Sequence, residues 1–237
     1  MSAAGTVRSL HRWPVKSMGG EPVDSFALTR DGVAGDRAHV LYDVHRGAPR
    51  QLTARQAPRL LAWRAGYGAW DGTHGALRSP ELTAPDGRTF AWEDPELPGA
   101  LAEELGRTVE LRTNPRGQPD LPASLLITTQ ATHDAVEAEL GRALDLRRWR
   151  TNVHVRLDAE AFAEEGWEGR VLTVGEATFD LLHPCVRCVI PTRDPDTQEK
   201  FAPLLRHLTR EHGGLFGMNA RARGPARIRV GDPVRIA

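Results

Sequence analysis

The densest set of reactive side chains is His183-Pro184-Cys185-Val186-Arg187-Cys188, directly after a run of strand-forming residues. Cys185 and Cys188 are the chain's two cysteines. They would supply half of a structural zinc site, which needs four ligands; His183 and a distant histidine would have to complete it. A dithiol redox motif should open a helix that activates its first thiol, and Val189-Ile190-Pro191-Thr192 is no helix start. Both cysteines could equally be small buried residues, the usual fate of a free thiol. A further use is one soft thiolate ligand to a transition metal whose other ligands come from a cofactor. That thiolate must be deprotonated, and adjacent Arg187 would favour the negative form.

An anionic cofactor also needs cationic donors. Lys16-Ser17 lies in a Pro/Gly-bounded loop (WPVKSMGG), and Lys16 is one of two lysines, with Lys200. Asp36-Arg37 follows Gly32 and Gly35 in a second loop. Alone, each such cation reads as a solvated surface charge. Asp194 and Asp196 flank Pro195 and read as turn formers that could also move protons near a metal. The nine histidines include no H-x-x-x-H pair on a helix, so a zinc hydrolase lacks support. Trp63, Trp70 and Trp92 read as core or barrel-lip aromatics.

The elements that must position these groups are mostly short strands punctuated by glycine and proline. Strands are expected at Val7–Trp13, Ser25–Leu28, His39–Asp43, Leu60–Ala65, Leu77–Leu82, Val109–Arg112, Leu125–Ile127, Val153–Arg156, Val171–Val174 and Thr178–Leu182. Ala226–Ile236 alternates around a Gly231-Asp232-Pro233 turn and should return a strand to a barrel. Helices are expected from Pro98 to Gly106, over Thr129–Leu144 with Gly141 as a flaw, and from Pro203 to Gly213-Gly214. The fold class is therefore α+β, predominantly β. The Pro/Gly/Asn-rich stretch Asn114–Pro122 suggests a boundary between residues 1–116 and 117–237.

The 237 residues carry 31 basic and 31 acidic side chains, a net charge of zero, which gives no electrostatic case for nucleic acid or membrane partners. Hydrophobic residues make up 40%, a globular mix. No apolar stretch approaches a spanning helix and no signal-peptide pattern opens the chain, so the expected address is cytoplasmic.

Several segments together resemble a known family. WPVKS, GDR at Asp36-Arg37 and QLTARQAPRL (Gln51–Leu60) are similar to the N-terminal β-barrel domain that accompanies MOSC domains. RWRTNV (Arg148–Val153), EEGWEGRVLTVGEATF, PCVRCVIPTRDPDT and RIRVGDPV resemble the MOSC domain itself. The resemblance spans nearly the whole chain, and within it the amidoxime-reducing components are the nearest functional relatives. It implies an N-terminal β-barrel-like domain packed against a MOSC β-barrel with a few peripheral helices. It also implies a molybdenum cofactor (molybdenum–molybdopterin) and reduction of N-hydroxylated substrates such as amidoximes, hydroxylamines and N-hydroxylated bases.

Residue by residue, the resemblance makes Cys188 the catalytic metal ligand and leaves Cys185 as packing. Lys16, Ser17 and Arg37 would contact the pterin or its phosphate, as would Arg150 and Asn152 from the Trp149-Arg150-Thr151-Asn152 run. Val186 and Arg187 would flank the ligand, and Asn219, after the Leu215-Phe216-Gly217 motif, would add a contact. Thr151 departs from the proline of the family's pattern, and Pro122-Ala123-Ser124 matches a cofactor-binding loop only loosely. Two cysteines leave no iron–sulfur cluster in this chain, so electrons would come from an external donor: a ferredoxin, a flavin reductase or a b-type cytochrome system. The family association with pyridoxal phosphate comes with the resemblance as well. The alternative is a non-redox protein that binds or delivers the cofactor, or carries sulfur on Cys188.

Overall fold

The computed structural model describes residues 3–45, 47–72, 76–117 and 122–237. Its strands are β1 (Ala3–Arg12), β2 (Glu21–Val23), β3 (Ser25–Thr29), β4 (Gly32–Val33), β5 (His39–His45), β6 (Ala48–Leu52), β7 (Arg64–Gly66), β8 (Glu81–Thr83) and β9 (Thr89–Ala91). Helix α1 (Leu97–Leu105), β10 (Glu110–Thr113), β11 (Leu125–Thr129), α2 (Gln130–Leu140) and β12 (Val153–Leu157) follow. The chain continues through β13 (Val171–Val174), β14 (Ala177–Val186), α3 (Pro203–Glu211), β15 (Leu215–Ala222), β16 (Ala226–Arg229) and β17 (Pro233–Ile236). The architecture is α+β and predominantly β.

Seven strands close a barrel in the order β12-β11-β15-β14-β13-β17-β1, sealed by β1 pairing antiparallel with β12, while β2 extends from β1. β11 and β12 are parallel, so a crossover must join them, and α2 makes it. Alternating apolar residues fill the barrel, among them Val7, Leu10, Ile127, Val155, Leu172, Phe179, Met218 and Val234. A second core lies under the sheets β10-β5-β6 and β7-β8-β9, where Leu41, Leu60, Trp63, Leu82, Phe90, Trp92 and Leu101 pack together. A third, smaller cluster of Val136, Leu144, Trp149, Leu204, Leu208 and Phe216 sits between α2 and α3. The expected boundary after residue 116 adjoins residues 118–121, which lie outside the described residues. β1, β3 and β4 contribute Val7, Leu10, Phe26, Leu28 and Val33 to the barrel core, so that core draws on both sides of the boundary.

Several expected elements shift for local reasons. Pro58 starts a 3-10 turn over Pro58–Ala62, so only Arg64–Gly66 is strand where Leu60–Ala65 was expected. The strand expected over Leu77–Leu82 forms only at Glu81–Thr83, after Pro80. α2 stops at Leu140 because Gly141 takes a left-handed φ of 61° and caps it, although Leu144 still joins the core. Trp63, Trp70 and Trp92 are buried.

Candidate functional site

The strand expected to end at Leu182 runs on through His183-Pro184-Cys185 to Val186. β14 and β15 slip register twice, between Leu181 and His183 and between Pro184 and Val186. At the second slip, Pro184 faces Met218 and Val186 faces Leu215, so β15 carries the extra residue. Gly217 makes this possible: its φ is 76°, and a Cβ there would stand 2.8 Å from the Ile127 carbonyl oxygen. The bulge turns the end of β14 outward and leaves Val186 72% exposed. The Arg187 N–H then donates to the Gly214 carbonyl at 2.7 Å, anchoring the chain as it leaves the strand toward Cys188.

Opposite stands the loop after β1. Its backbone is clipped by bridges of Val15 to His39 and Gly19 to Arg64, and the Lys16 N–H donates to the His39 carbonyl at 2.8 Å. Between the clips, Ser17 is held at a φ of 72°. Arg37 follows Gly35, where a Cβ would strike the Trp70 and Tyr67 rings at 2.7 and 2.8 Å. Burial pushes the Tyr67 phenol up, which keeps it a neutral donor to the Gly35 carbonyl at 2.9 Å. Arg150 ends a 3-10 turn at a φ of 54°; its guanidinium lies 4.3 Å from the centre of the Trp13 ring and donates to the Met18 carbonyl at 2.6 Å.

These pieces surround one open cleft with a cavity volume of about 140 Å³. Of the expected site residues, Lys16, Ser17, Arg37, Arg150, Val186, Arg187, Cys188 and Asn219 all line it. Its walls carry five cations, Lys16, Arg37, Arg55, Arg150 and Arg187, and no carboxylate. Ser17, Arg37 and Arg150 are also three of the six described non-glycine residues with positive φ, a backbone strain that tends to gather at functional sites.

Two expectations meet a different geometry, while Asp194 and Asp196 keep the turn-forming place expected of them. Asn152 is fully buried and does not line the cleft. Its amide instead joins Asp36, His11 and Leu126 beneath the floor. Cys185, expected as packing, is partly exposed on the cleft wall, and it receives the Arg187 guanidinium: Nη1 lies 3.2 Å from Sγ. The second arm of that guanidinium donates to the Trp149 carbonyl at 2.7 Å. Asp194 faces Arg148 at 2.7 Å and accepts the N–H groups of Asp196 and Thr197, both at 3.0 Å. Burial alone would raise its carboxyl, but those N–H groups and Arg148 outweigh it and hold it below the usual carboxylate range. Asp194 therefore stays ionised and works as a turn clamp, as does Asp196 between Arg64 and Arg147.

Thr151, which breaks the family pattern, is buried and has its own role. Its hydroxyl bonds the Leu126 and Val153 carbonyls at 3.1 Å, and its backbone carbonyl accepts the Trp13 indole N–H at 3.0 Å. Sequence reasoning missed Thr53, Arg55, Trp149 and Ile190 as cleft residues, and offered Ser124 only through the loose match of Pro122-Ala123-Ser124 to a cofactor-binding loop. Arg55 lay inside the QLTARQ run, whose resemblance to the family was the one available signal.

Comparison with known proteins agrees with this architecture. The model of the MOSC domain family matches residues 117–235, and that of the MOSC N-terminal beta barrel domain matches residues 4–95. Human mitochondrial amidoxime reducing component 2 is 26% identical, over 99% of this chain and 84% of its own. Human mitochondrial amidoxime-reducing component 1 is 24% identical, over 100% of this chain and 84% of its own. The crystal structure of the YUAD protein from Bacillus subtilis shares the fold with a TM-score of 0.52 at 12% identity, over 100% of this chain and 97% of its own. MOSC domains are associated with molybdenum cofactor binding. The chain belongs to the MOSC domain family, with the family's N-terminal β-barrel domain preceding the MOSC domain.

Proposed function

We propose that the cleft holds a molybdenum cofactor and that the protein reduces N-hydroxylated compounds with electrons from a separate donor protein. The observation that carries this is the cleft's composition: five cations, two thiols and no carboxylate in a chain with no net charge. Such a donor set suits a ligand that is anionic at one end and holds a soft metal at the other. Lys16 offers a point charge, and Arg37, Arg55 and Arg150 offer planar forks to a phosphate on the pterin. Ser17 and Asn219 add neutral polar contacts. Cys188 is the protein's ligand to the metal, and the backbone of Val186 and Arg187 flanks it.

When bound, the cofactor supplies the two-electron reduction of an N–O bond; with two protons the products are the N–H compound and water. The protein's own part is to orient the metal end beside the exposed Val186 rim, where a substrate can approach. Both cysteines line the cleft, and the electrons come from a separate donor protein that docks there. A ferredoxin, a flavin reductase or a b-type cytochrome would serve. The likeness to amidoxime reducing components supports amidoximes as the first substrates to try.

The test is molybdenum content by elemental mass spectrometry, for wild type and Cys188→Ala, after expression in a host that makes the cofactor. A near-equimolar metal content that falls in the variant, with benzamidoxime reduced by the wild type from a reduced dye, is the expected result. Retained metal without turnover would favour cofactor delivery instead. A folded wild type without metal would overturn the proposal.

A further inference from the structure

Away from the cleft, three ligand-type side chains converge on the outer side of the α2–α3 pair. Glu139 lies in α2, His207 in α3, and His212 at the residue that caps α3. The Nε2 atoms of His207 and His212 point at the same oxygen, Glu139 Oε2, at 2.7 and 2.8 Å. All three ligand atoms lie within 4.8 Å of one another. We propose that Glu139, His207 and His212 form a divalent transition-metal site, with zinc the natural occupant.

The donor set argues for the ion class. Two imidazoles and one carboxylate suit zinc and its first-row neighbours, whereas magnesium and calcium call for oxygen ligands. Three protein ligands with a remaining position open to water is a common zinc arrangement, and Glu139 is the solvent side, 36% exposed at its side chain. Ligand ordering is already largely complete. Each histidine side chain is only 13% exposed, and the His212 ring stacks on Phe162 with centroids 3.8 Å apart. The helices beneath are fixed by Val136, Leu204 and Leu208, all fully buried. Binding requires each neutral ring to carry its proton on Nδ1, freeing Nε2 for the metal, and the ligands to part slightly from hydrogen-bond to coordination geometry. The ion would clip α2 to the end of α3, two residues before Gly214, whose carbonyl holds Arg187. The site needs no cofactor in the cleft.

The experiment uses the full chain as Cys185→Ser/Cys188→Ser, which removes competing thiolates. Titration with zinc chloride should give one ion per chain and raise the melting midpoint, and magnesium chloride should give no shift. His207→Gln/His212→Gln in the same background keeps an amide donor toward Glu139 but not the imidazole ligands. It should lose affinity by roughly 100-fold or more and lose the shift. Should that variant fold poorly, diethylpyrocarbonate labelling of the parent read by mass spectrometry replaces it, with His207 and His212 selectively protected by zinc. Absence of zinc binding, equal binding by the glutamine variant, or no selective protection would each overturn the proposal.

Discussion

Asn152 is bound to Asp36: its Nδ2 donates to Asp36 Oδ1 at 3.0 Å, while its Oδ1 accepts the Leu126 N–H at 3.2 Å. Asp36 Oδ1 also accepts the Trp13 N–H at 2.8 Å, and its other oxygen pairs with Arg37. Asn152 thus fastens the Arg37 loop to the barrel. Asn152→Ala strands a buried N–H and weakens the hold on Asp36, so a stability loss of about 2–4 kcal/mol is expected. Urea denaturation reads it; unchanged stability with lost cofactor would instead make Asn152 a ligand contact.

Trp149 stacks on Phe216 with ring centroids 3.7 Å apart and planes 13° from parallel, and both rings are buried. Trp149 also lines the cleft. Phe216→Ala should destabilise the fold by about 3–5 kcal/mol through the cavity left behind, with Phe216→Leu milder. Chemical denaturation of both variants checks the order.

His154 and His39 are both buried, and burial lowers each to about 4 from 6.5, with nearby carboxylates opposing in part. Both are neutral in the folded protein, whereas the unfolded chain takes up their protons first. Their contribution is therefore intact above the unfolded value and is lost as pH falls from about 6.5 toward 4, by up to about 3 kcal/mol per histidine. His154 Nδ1 lies 2.8 Å from Thr128 Oγ1 and Nε2 lies 3.0 Å from Gln130 Oε1. His154→Gln should lower stability at neutral pH and flatten its fall in that window, as seen in urea midpoints at pH 4.5, 5.5 and 7.

Arg55 offers a test of the cleft's charge away from the strained residues. Arg55→Ala should weaken retention of a phosphate-bearing cofactor by about tenfold or more, the weight of one charge-assisted hydrogen bond. Metal content after extensive dialysis measures this; full retention would remove Arg55 from the anion receptor.

Most of the longer strands, the three helices and half of the cleft residues could be read from the sequence because they depend on local signals: alternation, Gly141 and Gly106 as stops, and ordered family segments around Lys16, Arg37 and Cys188; β2, β4, β6, β9 and the barrel strand β15 were not expected. What escaped depends on contacts across the fold. The Arg187 guanidinium could reach either neighbouring sulfur, and only the course of the bulged β14 end sends it to Cys185. Asn152 sits in a family segment whose cofactor contacts the resemblance carried over, and only closure of β1 against β12 shows it buried. His207 and His212 stand five apart, a spacing that places no shared helix face, because His212 has already left α3.

The pairing of β1 with both β12 and β17 sets a schedule for synthesis. Residues 3–12 are made well before their partners, residues 153–157 and 233–236, so the barrel cannot close until β17 has been made. Until then β1 has only β2 beside Leu10–Arg12, its residues 3–9 are open to pairing with another nascent chain, and closing so long a loop slows folding. In the folded protein, Ala3 stands opposite Ile236 across a pair of strands. A short linker joining these positions, with new ends opened in an exposed turn such as that at Gly87, would let β17 and β1 emerge together as a hairpin.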